Sequence, residues 1–261
     1  MTAAHAQTIT GFGDGSHWTN NNGGVPSALS AHFDGASKVD LTVNDTLGGQ
    51  ANSIYYKPQT VDLTHSFSLS FDYQVTSFGN PAESAPADGF TVIFQNQGLH
   101  AVGAGGSGLG YAGVTPSAAL SFNVWPFVGG SGIAPGEEFI QGGIQDLNYK
   151  LVTVPLSSGD LVNFQVDYVG TTLTENLTDL TYSMPVYTHS YDLSLFGGLS
   201  GIVGNNAMFG FTGGDGLGTT TQELSNLNFQ FTPGATPEPF TMGLAIAGIG
   251  MFLRRRMKVR A

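Results

Sequence analysis

The chain has 261 residues, a formal net charge of −11 and no cysteine, and charged residues make up only 10% of it. This length suffices for one large domain with its own core, and the lack of cysteine excludes disulfides, zinc–thiolate sites and a thiol nucleophile. All 19 carboxylates precede residue 240, so the body of the chain is acidic and we do not expect it to bind nucleic acid.

The N-terminal segment, residues 1–7, has the sequence MTAAHAQ. It lacks the basic and apolar regions of a secretory signal, but Ala4-His5-Ala6 fits the small-x-small pattern that ends such a signal. We therefore interpret residues 1–7 as the residual part of a leader, or as a linker, and expect the rest of the signal to be encoded upstream.

Apolar and polar residues alternate in several parts of the chain, as expected for strands with one buried face. The alternation is clearest in residues 66–75 and 161–168, and residues 161–168 and 172–178 are expected to form a hairpin. Shorter strands are predicted at 90–95, 118–125, 150–154, 207–212 and 224–231. No stretch before residue 240 has a convincing helical period. The pattern predicts an all-β sandwich of two antiparallel sheets.

Six segments occur in an order that resembles the L-type, or legume-lectin-like, lectin domain. They are GGQANS (48–53), SFSLSFDYQV (66–75), ADGFTVIFQN (87–96), GAGGSGLGY (103–111), SAALSFNVW (117–125) and FGFTGGDGLGTTTQELSNLNF (209–229). Together they span about residues 8–231. For this part of the chain the resemblance implies a concanavalin-like jelly-roll β-sandwich.

In that family, the aspartate of the Ala-Asp-Gly element accepts hydrogen bonds from two sugar hydroxyls, and the matching residue is Asp88. A carboxylate suits this role because it offers several acceptor positions to paired donors. The glycine-rich loop would supply a backbone N–H, and a later loop, residues 213–217, a further amide. An aromatic side chain, Trp125 or Phe127, would stack on the sugar. The sugar-binding residues implied by the resemblance are Asp88, Gly105 or Gly106, Asn123, Gly216 and Leu217. In the simpler interpretation, Asp88 only caps a turn and the glycines only turn the chain.

The family's paired calcium and transition-metal site is degraded in this sequence. Ser121 and Asn123 stand where the family has Glu and Asp, Phe127 stands about where a ligating Asn is expected, and Gln141 stands near the His position. Hard cations need several anionic oxygens, which these residues do not supply. We therefore expect no cofactor.

A single weak Ca²⁺ site is the alternative. Its candidate ligands are Asn123 and the adjacent acidic pair Glu137 and Glu138. Such an acidic pair more often marks a solvated loop.

The C-terminal part of the chain combines three unlike elements in a fixed order. A linker, residues 232–239, ends in Pro237-Glu238-Pro239, and an uncharged apolar stretch follows at 240–253. A basic tail, 254–261, begins with Arg254, Arg255 and Arg256. As a helix, the apolar stretch would be about 21 Å long. We expect it to form a short transmembrane helix, with the arginines that follow it on the cytoplasmic side.

This order resembles the PEP-CTERM sorting signal of Gram-negative bacteria. In that family an exosortase, a membrane transpeptidase-like enzyme, recognises the tail, and the carriers are commonly linked to exopolysaccharide or biofilm matrix. The resemblance implies a protein that is exported across the inner membrane and transiently anchored by its C-terminal helix. Its final location would be the cell surface or the extracellular matrix.

These features predict an exported, non-catalytic carbohydrate-binding protein whose partners are a polysaccharide or glycan and an exosortase-type sorting enzyme. The alternative is a structural surface or matrix protein on a lectin scaffold that has lost metal and sugar binding. A glycoside hydrolase is less well supported, because no predicted strand carries acids at i, i+2 or i, i+4 spacing and the six histidines lack ligand spacing.

Overall fold

The structure, a computed structural model, describes residues 5–24, 29–79, 85–125, 136–142, 149–182 and 185–234. Within these ranges the chain forms two antiparallel sheets that enclose one main apolar core. A short helix, α1 (Gly198–Val203), and two 3₁₀ turns, Gly106–Gly108 and Ser194–Phe196, complete the regular structure of the described residues. This architecture confirms the predicted all-β sandwich.

Sheet I contains eight of the described strands: β1 (Gln7–Thr10), β3 (His32–Phe33), β4 (Val39–Thr42), β7 (Phe67–Phe78), β12 (Val162–Val169), β13 (Thr172–Asp179), β14 (Tyr187–Asp192) and β16 (Thr220–Phe231). Their order is β14-β13-β12-β7-β16-β4-β3, and β1 also pairs with β16.

Sheet II contains the other eight: β2 (Asn21–Asn22), β5 (Ala51–Tyr55), β6 (Val61–Asp62), β8 (Gly89–Gln95), β9 (Ser117–Asn123), β10 (Gly136–Gln141), β11 (Lys150–Leu151) and β15 (Asn206–Gly214). Their order is β11-β10-β9-β8-β15-β5-β2, and β6 also pairs with β15.

Aromatic side chains fill the space between the two sheets. In sheet I, Phe71 of β7 stacks on Phe164 of β12 with ring centroids 4.9 Å apart. In sheet II, Phe90 of β8 stacks on Phe122 of β9 at 5.2 Å, and Phe90 meets Phe71 edge-on at 6.0 Å. All four rings are buried. Such contacts add stability beyond the burial of apolar area, so they join the two sheets.

The two sheets differ in what covers their outer faces. In β12 of sheet I, buried residues alternate with half-buried ones, so the outer face touches water. In sheet II, by contrast, β8 and β9 are buried at every position. A second apolar cluster packs the loop of residues 99–114 onto this sheet. Its buried members are Tyr55, Ile93, Ala101, Leu109, Tyr111, Val114 and Ala119.

Hydroxyl side chains on the outer face of sheet II also hold this loop. Ser53, Thr212 and Thr91 lie side by side on β5, β15 and β8. The Ser53 hydroxyl donates to the carbonyl of Ala101, and the Thr212 hydroxyl donates to the carbonyl of Leu109, both at 2.7 Å. Because buried carbonyls need donors, these bonds give the glycine-rich loop a defined place on the sheet.

Most of the predicted strands are confirmed with small changes at their ends. Residues 66–75 belong to β7, which continues to Phe78, and β12 and β13 form the predicted hairpin. The predicted strand at 150–154 is shortened to the two residues of β11. The sequence pattern did not predict β10, whose adjacent acids indicated a solvated loop. It also did not predict the strands β1 to β4, β6 and β14, or the six-residue helix α1.

The first three residues of the predicted linker 232–239 are joined to the sandwich. The Asp62 N–H donates to the carbonyl of Thr232 at 2.8 Å, and the Gly234 N–H donates to the carbonyl of Thr60 at 2.9 Å. The described domain therefore continues past β16 and ends beside β6.

Within the part of the chain that the structure describes, no helix is long and apolar enough to cross a membrane. The predicted helix at 240–253, the Pro-Glu-Pro motif at 237–239 and the arginines at 254–256 lie outside the described residues. Their assignment stays a prediction.

We expect Phe164→Ala to destabilise the domain strongly. The ring is buried between the sheets and stacks on Phe71, so its removal leaves a cavity that lowers the free energy of unfolding by about 3–5 kcal/mol. The control, Val169→Ala, lies in the same strand with 66% of its surface exposed and should change this free energy by less than about 0.5 kcal/mol. Urea denaturation measures both values, and equal effects would contradict this packing.

Candidate functional site

Asp88 lies where the chain enters β8, and its backbone is held on both sides. Its N–H donates to the carbonyl of Gly214 at the end of β15 at 3.0 Å. Its own carbonyl accepts hydrogen bonds from the N–H groups of Val124 at 2.8 Å and Trp125 at 3.3 Å, just after β9. The peptide bond between Ala87 and Asp88 is cis. Three segments of sheet II therefore fix the position of Asp88.

Two glycines lie against the Asp88 carboxylate. A Cβ atom added to Gly216 would lie 2.9 Å from Oδ2, and one added to Gly106 would lie 3.7 Å from it. Asp88 is half-buried, and its Oδ2 atom is buried. The structure thus brings together one residue from each of the three loops in which sugar-binding residues are predicted, and at Gly216 only glycine leaves the carboxylate undisturbed.

Asp215, which is not among the predicted site residues, joins these loops. Its side chain is buried, and it accepts hydrogen bonds from the Gln50 N–H at 2.8 Å and from Gln50 Nε2 at 2.6 Å. The carbonyl of Asp215 accepts the Gly106 N–H at 3.0 Å. Direct protein bonds therefore connect the glycine-rich loop, the 213–217 loop and the start of β5.

Burial is the main cause that raises the pKa of Asp215 to about 7. The N–H bond from Gln50 acts in the opposite direction, while the negative charges of Asp45 and Asp88 raise the pKa further. Asp215 is therefore an acid whose protonated form is favoured by the fold.

The remaining predicted sugar-binding residues differ in their accessibility. The Gly106 N–H is used by Asp215, whereas within the described residues the Gly105 N–H makes no hydrogen bond and is the better donor candidate. Leu217 is 69% exposed, and Asn123 is only 2% exposed, so the Asn123 side chain offers little surface for a direct sugar contact. Trp125 is half-buried, and Phe127 lies outside the described residues.

The prediction that Glu137 and Glu138 lie in a loop is wrong, and their placement does not favour the alternative of one shared Ca²⁺ site. Both residues lie in β10, where successive side chains point to opposite faces of the sheet. Glu138 pairs with Ser121 on the outer face, and Glu137 pairs with the core residue Phe122 on the inner face. The two carboxylates therefore cannot converge on one ion.

The described donor set does not fit a two-metal site on the outer face. Ser121 and Asn123 supply a hydroxyl and an amide, so Glu138 is the one carboxylate that the described residues of β9 and β10 offer on this face, whereas hard cations prefer several anionic oxygens. Gln141 pairs with Ala118, at the far end of β10 from Asn123, so it cannot take the place of the family's His. Within the described residues, no trio of His, Asp or Glu side chains converges at this place. Residues 126–135 lie outside them, so the loss of the metal pair stays a prediction.

Several solved structures with this fold are legume lectins. A lectin from Bauhinia forficata in complex with GalNAc shares 19% identity, with a TM-score of 0.67 over 88% of this chain and 99% of that one. Peanut lectin with a 9-residue peptide shares 16% identity, with a TM-score of 0.66 over 90% and 100% of the two chains. Arcelin-5, a lectin-like defence protein from Phaseolus vulgaris, shares 14% identity, with a TM-score of 0.67 over 87% and 98%. No family model matches the chain.

The fold of this chain is therefore legume-lectin-like. This finding confirms the fold that the resemblance implied, and the alignment extends over nearly the full length of the solved lectins.

Asp215→Asn should remove a pH-dependent part of the stability. The pKa of Asp215 is raised from 3.8 to about 7 on folding, so its contribution is fully present below about pH 4 and is lost as the pH rises through about 7. Relative to the variant, the native chain should lose up to about 4 kcal/mol of unfolding free energy over this interval. Chemical denaturation at several pH values measures the difference, and a constant difference would contradict a raised pKa.

Proposed function

We propose that this protein is an exported, non-catalytic lectin that binds a polysaccharide or glycan through the Asp88 carboxylate and the backbone of the surrounding loops. The observation that carries the proposal is the convergence of Gly106 and Gly216 on this carboxylate. A side chain at Gly216 would press on the Asp88 carboxylate and one at Gly106 would touch it, so in this proposal the two glycines leave room beside Asp88 for a flat ligand.

The chemistry of the site matches the donors of a sugar ring. Asp88 keeps part of its surface exposed while Oδ2 is buried, so a sugar hydroxyl would approach from the Oδ1 side. Hydrogen bonds to a charged acceptor are the stronger kind, and a carboxylate accepts more than one. The Gly105 N–H would donate to a ring or hydroxyl oxygen, and Trp125 would supply an apolar face.

Two of the similar structures support the ligand class. The Bauhinia forficata lectin was solved with GalNAc, and lectin I from Ulex europaeus was solved with the methyl glycoside of α-L-fucose. We assign this chain the same general class of ligand, a carbohydrate, without assigning a particular sugar.

Asp88→Asn should weaken glycan binding by about tenfold to a hundredfold, because it removes the charge of the acceptor while keeping its shape. A glycan array and isothermal titration with purified matrix polysaccharide, using the full chain, measure the effect. The exposed Asp14→Asn serves as the control and should leave binding unchanged.

Binding by the native chain should persist in chelator, because direct hydrogen bonds hold the loops around Asp88. Binding that survives in Asp88→Asn would contradict the proposed site. Failure of the native chain to bind any matrix glycan would favour the second candidate below.

The second candidate is a structural surface or matrix protein on a lectin scaffold. It is favoured by the uncharged Ser121 and Asn123 at the positions of the family's metal ligands, and by the burial of one Asp88 oxygen. In this case Gly106 and Gly216 would only allow their loops to pack closely against Asp88, without a ligand.

Two carboxylates, those of Glu137 and Glu175, lie close together, but their position does not support a glycoside hydrolase. Glu137 and Glu175 meet between the sheets, and both are fully buried, so a sugar cannot reach between them. We therefore propose a protein without catalytic activity.

We also propose that the C-terminal residues sort the protein. The support is the order of Pro237-Glu238-Pro239, an apolar stretch and an arginine cluster. In this proposal an exosortase-type enzyme recognises the tail, and the lectin domain is placed at the cell surface or in an exopolysaccharide matrix.

A chain that ends at Thr236 should lose its surface location and remain in the periplasm of the native host, because it lacks the segment that anchors it for sorting. Cell fractionation with an antibody against the domain measures this. The full-length Asp88→Asn variant is the control, since it should be sorted normally while binding glycan weakly. Normal surface location of the truncated chain would contradict the sorting proposal.

A further inference from the structure

A buried polar cluster lies between the two sheets. Glu137 enters it from β10 of sheet II, and Glu175 enters it from β13 of sheet I. Three residues of β14, Tyr187, His189 and Tyr191, face the same space. Glu137 and Glu175 are both 0% exposed, so two carboxylates have been taken out of water.

The donors of the cluster, which are the two tyrosine hydroxyls and the imidazole, all bond to the carboxylate of Glu137. Glu137 Oε1 accepts hydrogen bonds from the Tyr187 hydroxyl at 2.9 Å and from His189 Nδ1 at 2.8 Å. Glu137 Oε2 accepts a further bond from the Tyr191 hydroxyl. Glu137 is thus well provided with donors, as a buried carboxylate requires.

Glu175 has no such provision. Within the described residues, no N–H or O–H group donates to either of its oxygens, and the group that it meets is the carboxylate of Glu137. Burial and the charge of Glu137 raise the pKa of Glu175 well above its ordinary value. Lys150 pairs with Glu137 in the register of β10 and β11, but its side chain is exposed and, in the described chain, it forms no ion pair with Glu137.

We propose that Glu137, Glu175 and His189 bind one divalent transition-metal ion, for which Zn²⁺ is the natural probe. A ligand atom from each of the three lies within 4.8 Å of the others. A doubly charged cation would neutralise both carboxylates and give the oxygens of Glu175 the partner that they lack.

The mixture of one imidazole and two carboxylates favours zinc over calcium or magnesium, which prefer oxygen ligands alone. Ligand atoms around a tetrahedral zinc ion lie about 3.3 Å apart, so atoms up to 4.8 Å apart would have to approach one another by at most about 1.5 Å. A water molecule would complete the coordination. The tyrosines would act as outer partners that orient Glu137.

The site has a route to solvent and is separate from the candidate sugar site. The side chain of His189 is 27% exposed, so an ion can enter along β14. Ser121 and Asn123, the positions of the family's metal pair, lie on the outer face of sheet II, whereas Glu137 points to the inner face. The metal site would therefore join the two sheets without touching the Asp88 loops.

The test is titration of the full chain, first stripped with chelator, with Zn²⁺, Mn²⁺ and Ca²⁺ by calorimetry, together with its thermal unfolding. We expect one Zn²⁺ per chain, a higher unfolding temperature with Zn²⁺, and much weaker binding of Ca²⁺. Glu175→Gln and His189→Gln should each weaken Zn²⁺ binding at least about 100-fold, and Tyr187→Phe should weaken it about tenfold.

His65→Gln is the matched control, because His65 contacts the carboxylate of Asp62 at 3.2 Å on the surface. It should leave Zn²⁺ binding unchanged. Glu175→Gln is expected to fold, since it removes a buried charge, and circular dichroism of the metal-free variant checks this.

Two results would overturn the proposal. One is Zn²⁺ binding that persists in both Glu175→Gln and His189→Gln, which would place the ion elsewhere on the chain. The other is a native chain that takes up no Zn²⁺ while metal-free Glu175→Gln becomes more stable, which would identify a carboxyl pair that shares a proton. Neither result depends on whether the chain binds a glycan.

Discussion

The central strands of sheet II are buried on both faces, and this constraint determines where the candidate sugar site lies. On the inner face their aromatic rings meet those of sheet I, and on the outer face the loop of residues 99–114 covers them. The covering loop brings buried carbonyl groups with it, and the hydroxyls of Ser53 and Thr212 satisfy two of them. Because the loop is held in this way, its Gly106 lies beside Asp88 at the end of the central strand β8. The site is therefore a product of how the sheet is covered, and Asp215 adds the bonds that connect its loops.

The sequence predicted the fold best where one face of a strand touches water. In β12, buried residues alternate with half-buried ones up to Tyr168, and β7 shows the same period up to Val75 except at the buried Asp72. This period of two is visible in the sequence without any structure. Strand β10 was missed because Glu137 and Glu138 are charged, and charge normally indicates exposure. Strand β14 was missed because its inward positions carry Tyr187, His189 and Tyr191, which do not read as an apolar face. In both strands a buried polar cluster replaces the usual apolar signal.

The sequence motifs predicted which residues form the candidate site, but not the hydrogen bonds that hold its loops together. Asp88 and the glycines of two loops came from short sequence elements, and the fold brings them together. Asp215 stood among those glycines without a signal of its own, because its role depends on a contact with Gln50 across 165 positions of sequence. The contact of Glu137 with Glu175 and His189 was not predictable for the same reason, because Glu137 belongs to sheet II and the other two residues belong to sheet I. Contacts between distant strands are set by topology, and single residues carry no mark of them.

The hydrogen bonds that join residues 232–234 to the segment around β6 fix the end of the domain at which the described chain stops. Gly234 lies beside Asn206, at the first residue of β15, whereas Asp88 is bonded to Gly214, at the last residue of the same strand. With a rise of about 3.3 Å per residue, these points are about 26 Å apart along the strand. A tether attached to the chain beyond Gly234, as proposed above, would therefore act on the end of the domain that is remote from Asp88. It would leave the opposite end, with its glycine loops, free to meet a ligand.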